Sequence, residues 1–229
     1  MWILTSIFQA IGQALTWVLP VSESGHSVIF HNFSGRFSNA CSQLTGVVHI
    51  GIAIGLVIAF YKLFVNLFKN FFGTFDDIFH NITPQRNFMY MTVLSFMFFI
   101  IYAIPAGKYG NFYMVFHRTS FNKTILGEGI CMALLGVLLI VTNTLINSSR
   151  NKLPDWANAI ILGIIAFLAL PTGGCSFMGA IFAFGILLGM SQKYAIRYAV
   201  TMSVPTLIVM GIVELCVAVT KINIFSALI

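Results

Sequence analysis

Five stretches of the chain are apolar over roughly the length a helix needs to cross a bilayer, about 20 residues. They run over 44–68, 88–106, 126–146, 160–190 and 199–220. Polar punctuation separates them at 69–86, 108–123, 147–155 and 191–197. In lipid every backbone polar group must be satisfied internally, so only helices and closed barrels can span a membrane. The alternating pattern of barrel strands is missing, which leaves an all-α integral membrane protein, read as a single domain over 1–229. Composition agrees: of 229 residues 59% are hydrophobic and only 8% charged, whereas a soluble domain carries about 25% charged residues to hydrate its surface.

Charge and cysteine usage exclude several function classes. The net charge of +6 comes from 12 Lys and Arg against 6 Asp and Glu, and the basic residues are scattered singly through the polar segments. No cationic cluster interleaved with aromatics appears, so nucleic acid is not an expected partner. The middle loops carry two or three cations each, too even a distribution to fix orientation. Cys41, Cys131, Cys175 and Cys216 lie far apart and suggest neither a disulfide framework nor a zinc site. Residues 1–19 are apolar and carry no charge before Glu23. They lack a basic leader and a small-residue cleavage site, so they are read as retained structure.

Two places break the simple succession of spans. Leu19-Pro20-Val21-Ser22-Glu23-Ser24-Gly25-His26 interrupts the first apolar run, and Leu170-Pro171-Thr172-Gly173-Gly174-Cys175-Ser176 interrupts the fourth. Each has Leu-Pro, a small polar segment, a glycine and then a rising apolar run. Proline removes a helix donor and restricts its predecessor, so each Leu-Pro ends or kinks its helix. Interrupted hydrophobic segments in corresponding positions of two halves point to inverted repeats with a site at their interface. The plainer reading is two unrelated proline kinks.

The first break also holds the residues best suited to chemistry. Glu23 and His26 stand three apart, on one face if a helix restarts there. A carboxylate beside an imidazole can act as base and acid or hold a divalent cation. The flanking Ser22, Ser24 and Gly25, at a helix start, suit a phosphate. Equally, Ser22 or Ser24 can simply cap the next helix, with Glu23 in its first turn. Glu214 is an isolated acid inside an apolar run, a functional pointer by default. Glu128, at the start of a helix, reads as a dipole partner. His31, His49, His80 and His117 share no ligand spacing. Gly51-x-x-x-Gly55 and Gly185-x-x-x-Gly189 read as close helix packing.

The two broken segments resemble the signatures of the bacterial undecaprenyl pyrophosphate phosphatase (bacitracin-resistance) family. The first family signature reads roughly E-G-x-T-E-F-L-P-V-S-S-T-G-H, and this chain has Gln13-Ala14-Leu15-Thr16-Trp17-Val18-Leu19-Pro20-Val21-Ser22-Glu23-Ser24-Gly25-His26. The second, P-G-x-S-R-S-G, is matched by Ser176-Phe177-Met178-Gly179, with Leu188-Gly189-Met190-Ser191, Met202-Ser203-Val204-Pro205 and Glu214 following in order. The matching regions are 11–31 and 163–215. The resemblance implies transmembrane helices with two re-entrant segments arranged as inverted repeats, in the bacterial plasma membrane. It further implies cleavage of the terminal phosphate from a C55 polyprenyl diphosphate used in cell-wall synthesis.

Carried over position by position, the signature acids fall on Gln13 and Trp17, and the signature Arg on Phe177. Thr16, Pro20, Ser22, Gly25, His26, Ser176 and Gly179 match. The expected site is therefore rearranged: Glu23 as base or metal ligand, His26 as acid or nucleophile, and Ser22, Ser24, Gly25, Ser176 and Gly179 around the phosphate. Mg²⁺ or Ca²⁺ is the expected cofactor, and Arg36 or Arg197 is a candidate for the missing positive charge. The chain stops at Ile229, before the family's last one or two helices are expected. The alternative function is binding or translocation of a polyprenyl phosphate without hydrolysis; an unrelated small transporter is a weaker reading. A second copy of the chain is a further candidate partner.

Overall fold

The computed structural model describes residues 2–34, 39–72, 83–104, 125–146 and 155–221; Arg36, His80 and His117 lie outside them. The described chain is helical: α1 (Trp2–Val18), α2 (Glu23–Ser34), α3 (Asn39–Ala59), α4 (Tyr61–Phe72), α5 (Pro84–Phe96), a 3-10 turn at Met97–Phe99, α6 (Ile100–Ala103), α7 (Ile125–Leu145), α8 (Trp156–Ala169), α9 (Phe177–Leu187) and α10 (Gln192–Lys221). The segments Leu126–Leu145 and Gln192–Leu215 are each long and apolar enough to cross a bilayer, and the protein is a multi-pass membrane protein. On α7 the residues Ile130, Leu134, Val137, Ile140 and Val141 are all exposed, an apolar surface suited to acyl chains rather than water.

Three of the five expected spans take a different form. The 44–68 run divides at Phe60 into α3 and α4, which are bent by 84°. Its second half is amphipathic: Leu63, Phe64 and Leu67 pack against the core, while Lys62 and Asn66 are exposed. Mean hydropathy is blind to such one-sidedness, which favours a helix lying along an interface over one crossing it. The 160–190 run becomes two short helices, α8 and α9, separated by the second proline break. The 88–106 run is split by the 3-10 turn after Phe96.

Both breaks are built alike. After α1 the chain turns at Leu19-Pro20, and Ser22 Oγ accepts the N–H of Gly25 at 3.1 Å to cap α2. After α8 it turns at Leu170-Pro171, and Ser176 Oγ accepts the N–H of Gly179 at 3.1 Å to cap α9. Helices α1 and α2 pack on each other, as do α8 and α9.

The most extensive helix pairing is α3 on α10. Gly46 and Gly211 make it possible, because a Cβ on Gly46 would lie 2.8 Å from the Gly211 carbonyl oxygen. The small-residue pairs singled out in sequence behave differently. Among the described residues nothing lies within 4 Å of a Cβ placed on Gly51 or Gly55, and Gly189 ends α9 at φ 91°. There Met190 N–H reaches the Gly185 carbonyl (3.0 Å) and Gly189 N–H the Ile186 carbonyl (2.9 Å), a glycine-terminated helix end. Gly185 does meet a neighbouring helix, its Cβ position lying 3.2 Å from Ala195. The core gathers Leu56, Leu162, Ile181, Met202 and Leu207. A buried polar knot pins α5 to α8 and α10: Ser95 Oγ lies 2.5 Å from both the Ala159 carbonyl and the Tyr198 hydroxyl, which itself donates to the Met91 carbonyl at 2.8 Å.

Candidate functional site

The two breaks meet inside the bundle. The Pro20 carbonyl approaches Gly179 so closely that a Cβ there would sit 3.2 Å from it. Ser24, in the first turn of α2, is the rivet. Its Oγ accepts the N–H of Gly174 at 2.8 Å and donates to Glu128 Oε2 at 3.0 Å. Gly174 is at φ 79°, and a Cβ there would lie 2.3 Å from the Glu128 carbonyl oxygen, so neither the backbone conformation nor the space admits a side chain. Glu128 is itself buried. Its role is thus more specific than that of a dipole partner: it ties α7 to both breaks through one serine.

Beside this junction lies a cavity of about 180 Å³ whose walls include Trp17, Glu23, Ser24, His49, Ser176 and Glu214. Its chemistry centres on His49, on α3, which is only 2% exposed. His49 Nδ1 lies 2.7 Å from Glu214 Oε2, and its Nε2 lies 3.3 and 3.2 Å from the two oxygens of Glu23. A hydrogen bond on each side of the ring requires two protons among the three groups. They are an imidazolium between two carboxylates, or a neutral imidazole with one carboxyl protonated. Either way the trio carries one net negative charge. None of the described residues lining the cavity is a lysine or arginine. Ser176 and Phe177 bring the start of α9 to the cavity wall, and a helix start carries partial positive charge on its N–H groups.

Trp17 and Phe177 form one wall. Their rings stack with centroids 5.9 Å apart and planes at 25°, and Trp17 also meets the His49 ring edge-on at 5.5 Å. The Trp17 indole Nε1 is buried without a hydrogen-bond partner among the described residues, an unspent donor in the residue that borders the cavity.

The residues expected from sequence separate into two groups. Glu23, Ser24 and Ser176 line the cavity. Ser22, Gly25 and Gly179 are buried and build the junction behind it. A Cβ on Gly25 would strike Met132 at 2.3 Å, so this glycine seats α2 against α7. His26 is exposed, with Nδ1 2.7 Å from the carbonyl of Ser22, and it does not face Glu23 across the cavity. Arg197 lines a different cleft. Thr16, on α1, spends its hydroxyl on the Gly12 and Gln13 carbonyls. Nothing local in the sequence marks His49, because its partners are distant: Glu214 is 165 residues away. The isolated acid in α10 was the available half of the signal.

Among the described residues no three His, Cys, Asp or Glu side chains converge as a metal cage. Glu23 and Glu214 approach opposite nitrogens of one ring, so they cannot share an ion with it. The donors fit Mg²⁺ or Ca²⁺ only in the form in which one carboxylate is supplemented by phosphate oxygens.

Fold and site define a multi-pass helical membrane protein with an acid-lined cavity between two broken, serine-capped segments. Comparison with known families agrees: residues 6–228 match the family described as Bacitracin resistance protein BacA, and the chain belongs to that family. It is 24% identical to an undecaprenyl-diphosphatase of Alkaliphilus metalliredigens, over 89% of this chain and 73% of the relative. It is 28% identical to those of Halothermothrix orenii (91% and 73%) and Methanococcus vannielii (92% and 78%).

Proposed function

We propose that the cavity receives the phosphate end of a polyprenyl diphosphate and that the protein removes the terminal phosphate. The observation that carries this reading is the meeting of two unlike cavities. The polar one shares Leu170, Met210 and Glu214 with an apolar one of about 280 Å³ that is otherwise lined by residues such as Phe96, Phe99, Ile100 and Val213. A ligand with a charged head and a hydrocarbon tail matches that pairing, and the relatives are named for a lipid diphosphate of this kind. The setting proposed is the plasma membrane of a cell that builds its wall on such a carrier.

In this reading the first turn of α9, capped by Ser176, and the indole N–H of Trp17 hold phosphate oxygens. Glu23 takes a proton from water as the water oxygen bonds to the terminal phosphorus. The bond from that phosphorus to the bridging oxygen breaks, leaving polyprenyl monophosphate and inorganic phosphate. His49, steadied by Glu214, keeps Glu23 aimed at the cavity. A divalent ion bound with the substrate would take Glu23 as its protein ligand and supply the positive charge that the cavity walls lack.

One observation favours a second reading, in which the lipid phosphate is bound without hydrolysis: no lysine or arginine lines the cavity among the described residues, and phosphoryl transfer depends heavily on such charge. The test is phosphate release by purified protein from farnesyl and undecaprenyl diphosphate with Mg²⁺ or Ca²⁺, beside binding of the same lipids. Release supports hydrolysis. Binding without release supports the second reading, and the absence of both removes the cavity from consideration.

A further inference from the structure

A cleft of about 160 Å³ opens where α3 turns into α4, and it shares no lining residue with the polar cavity. Lys62, Asn66, Gln85, Tyr194 and Arg197 point chemistry into it from three helices, above the buried ring of Phe88. Its location follows from the packing. Gly46 on α3 meets Leu215 on α10, whereas Ile50, one turn further along α3, meets Gly211, one turn back along α10, so the two helices run antiparallel. The end of α3 therefore lies beside the start of α10, at one edge of the bundle. Helix α4 leaves that edge at 84° to α3 and so runs near the bilayer plane. Exposed Tyr61, Val65 and Phe68 beside Lys62 give it the make-up of a headgroup-level helix.

Two cations face this cleft, and neither forms an ion pair with a described carboxylate. The Lys62 ammonium has the ring of Tyr61 at 5.9 Å, whereas Arg197 is half-buried. Neighbouring cations without an anion repel each other, and partial burial of one sharpens that cost. A phosphate relieves it: the guanidinium offers a two-pronged donor, the ammonium a point charge, and the Asn66, Gln85 and Tyr194 side chains further donors. We propose that the Lys62–Arg197 cleft binds a phosphate group at the membrane surface, as the phosphodiester of an anionic phospholipid or as free phosphate. Basic pockets between helices at a membrane face commonly hold anionic headgroups. This site is independent of the reading given to the polar cavity.

The full chain in neutral detergent is titrated with phosphatidylglycerol, with phosphatidylcholine and with inorganic phosphate, reading retained lipid by native mass spectrometry and the midpoint of thermal unfolding. Phosphatidylglycerol should be retained in preference to phosphatidylcholine. Lys62→Gln and Arg197→Gln should each weaken its binding by about tenfold, the loss of one charge-assisted contact, and Arg197→Lys should recover part of the loss. Stabilisation by inorganic phosphate alone, lost in the same variants, would assign the site to free phosphate. Should Lys62→Gln, at an exposed position, bind every probe as the parent does, the cleft is not a phosphate site.

Discussion

Nδ1 of His49 lies 2.7 Å from Oε2 of Glu214, and the two residues are 165 positions apart in the chain. The bond joins α3 to α10, while the opposite ring nitrogen engages Glu23 at the start of α2. Three elements thus depend on one imidazole. Replacing His49 by Leu leaves two carboxylates facing an apolar side chain. Breaking a buried pair in this way costs about 3–5 kcal/mol, and the partly exposed Glu214 brings the expectation to the lower end. Glu214→Gln keeps an acceptor and should cost about 1–2 kcal/mol. Thermal unfolding in detergent checks the order: His49→Leu well below Glu214→Gln.

The stack of Trp17 on Phe177 offers a separation of packing from binding. Trp17→Ala should destabilise by about 3–5 kcal/mol through the void it leaves. Trp17→Phe keeps an aromatic ring but removes the unpartnered indole N–H. It should therefore be better tolerated than Ala, yet weaken farnesyl diphosphate binding by about 1 kcal/mol, the value of one hydrogen bond. Equal affinity in the parent and Trp17→Phe would take the indole out of the proposed phosphate site.

Ser24 connects Gly174 with Glu128. Ser24→Ala strips a partner from a buried carboxyl and from a backbone N–H, at about 1–3 kcal/mol. Gly174→Ala should be more severe, since its Cβ would meet the Glu128 carbonyl at 2.3 Å in a left-handed backbone. Both variants should loosen the junction of the two breaks, which limited proteolysis or hydrogen exchange around 170–176 would read as faster opening.

Much of this architecture was legible in the chain itself. The two Leu-Pro breaks, the serine cap of the first and the helical membrane character follow from local rules acting on Pro20, Ser22 and Pro171, whereas the matching cap by Ser176 emerges from the structure. The resemblance to the bacitracin-resistance family, carried by the same two segments, is matched over residues 6–228. What escaped was non-local or one-sided. The bend at Phe60 depends on the amphipathicity of Tyr61–Phe72, which an averaged hydropathy erases. A spacing of four within one helix points to Gly51 with Gly55 and Gly185 with Gly189, whereas the close contact pairs Gly46 with Gly211 on different helices. His49 has no neighbour in sequence that marks it, and only the fold supplies its two carboxylates. Glu23 was visible as an acid in the right turn, but which imidazole faces it was not.

The comparison of Glu23→Gln with His26→Ala in phosphate release from farnesyl diphosphate tests the central claim most directly. Glu23 borders the cavity in contact with His49, whereas His26 is exposed and bonded to its own helix. Loss of the base should slow release by about 100-fold or more, while His26→Ala should stay within about threefold of the parent, as expected for a surface substitution. Release that survives Glu23→Gln but is abolished by His26→Ala would contradict the account.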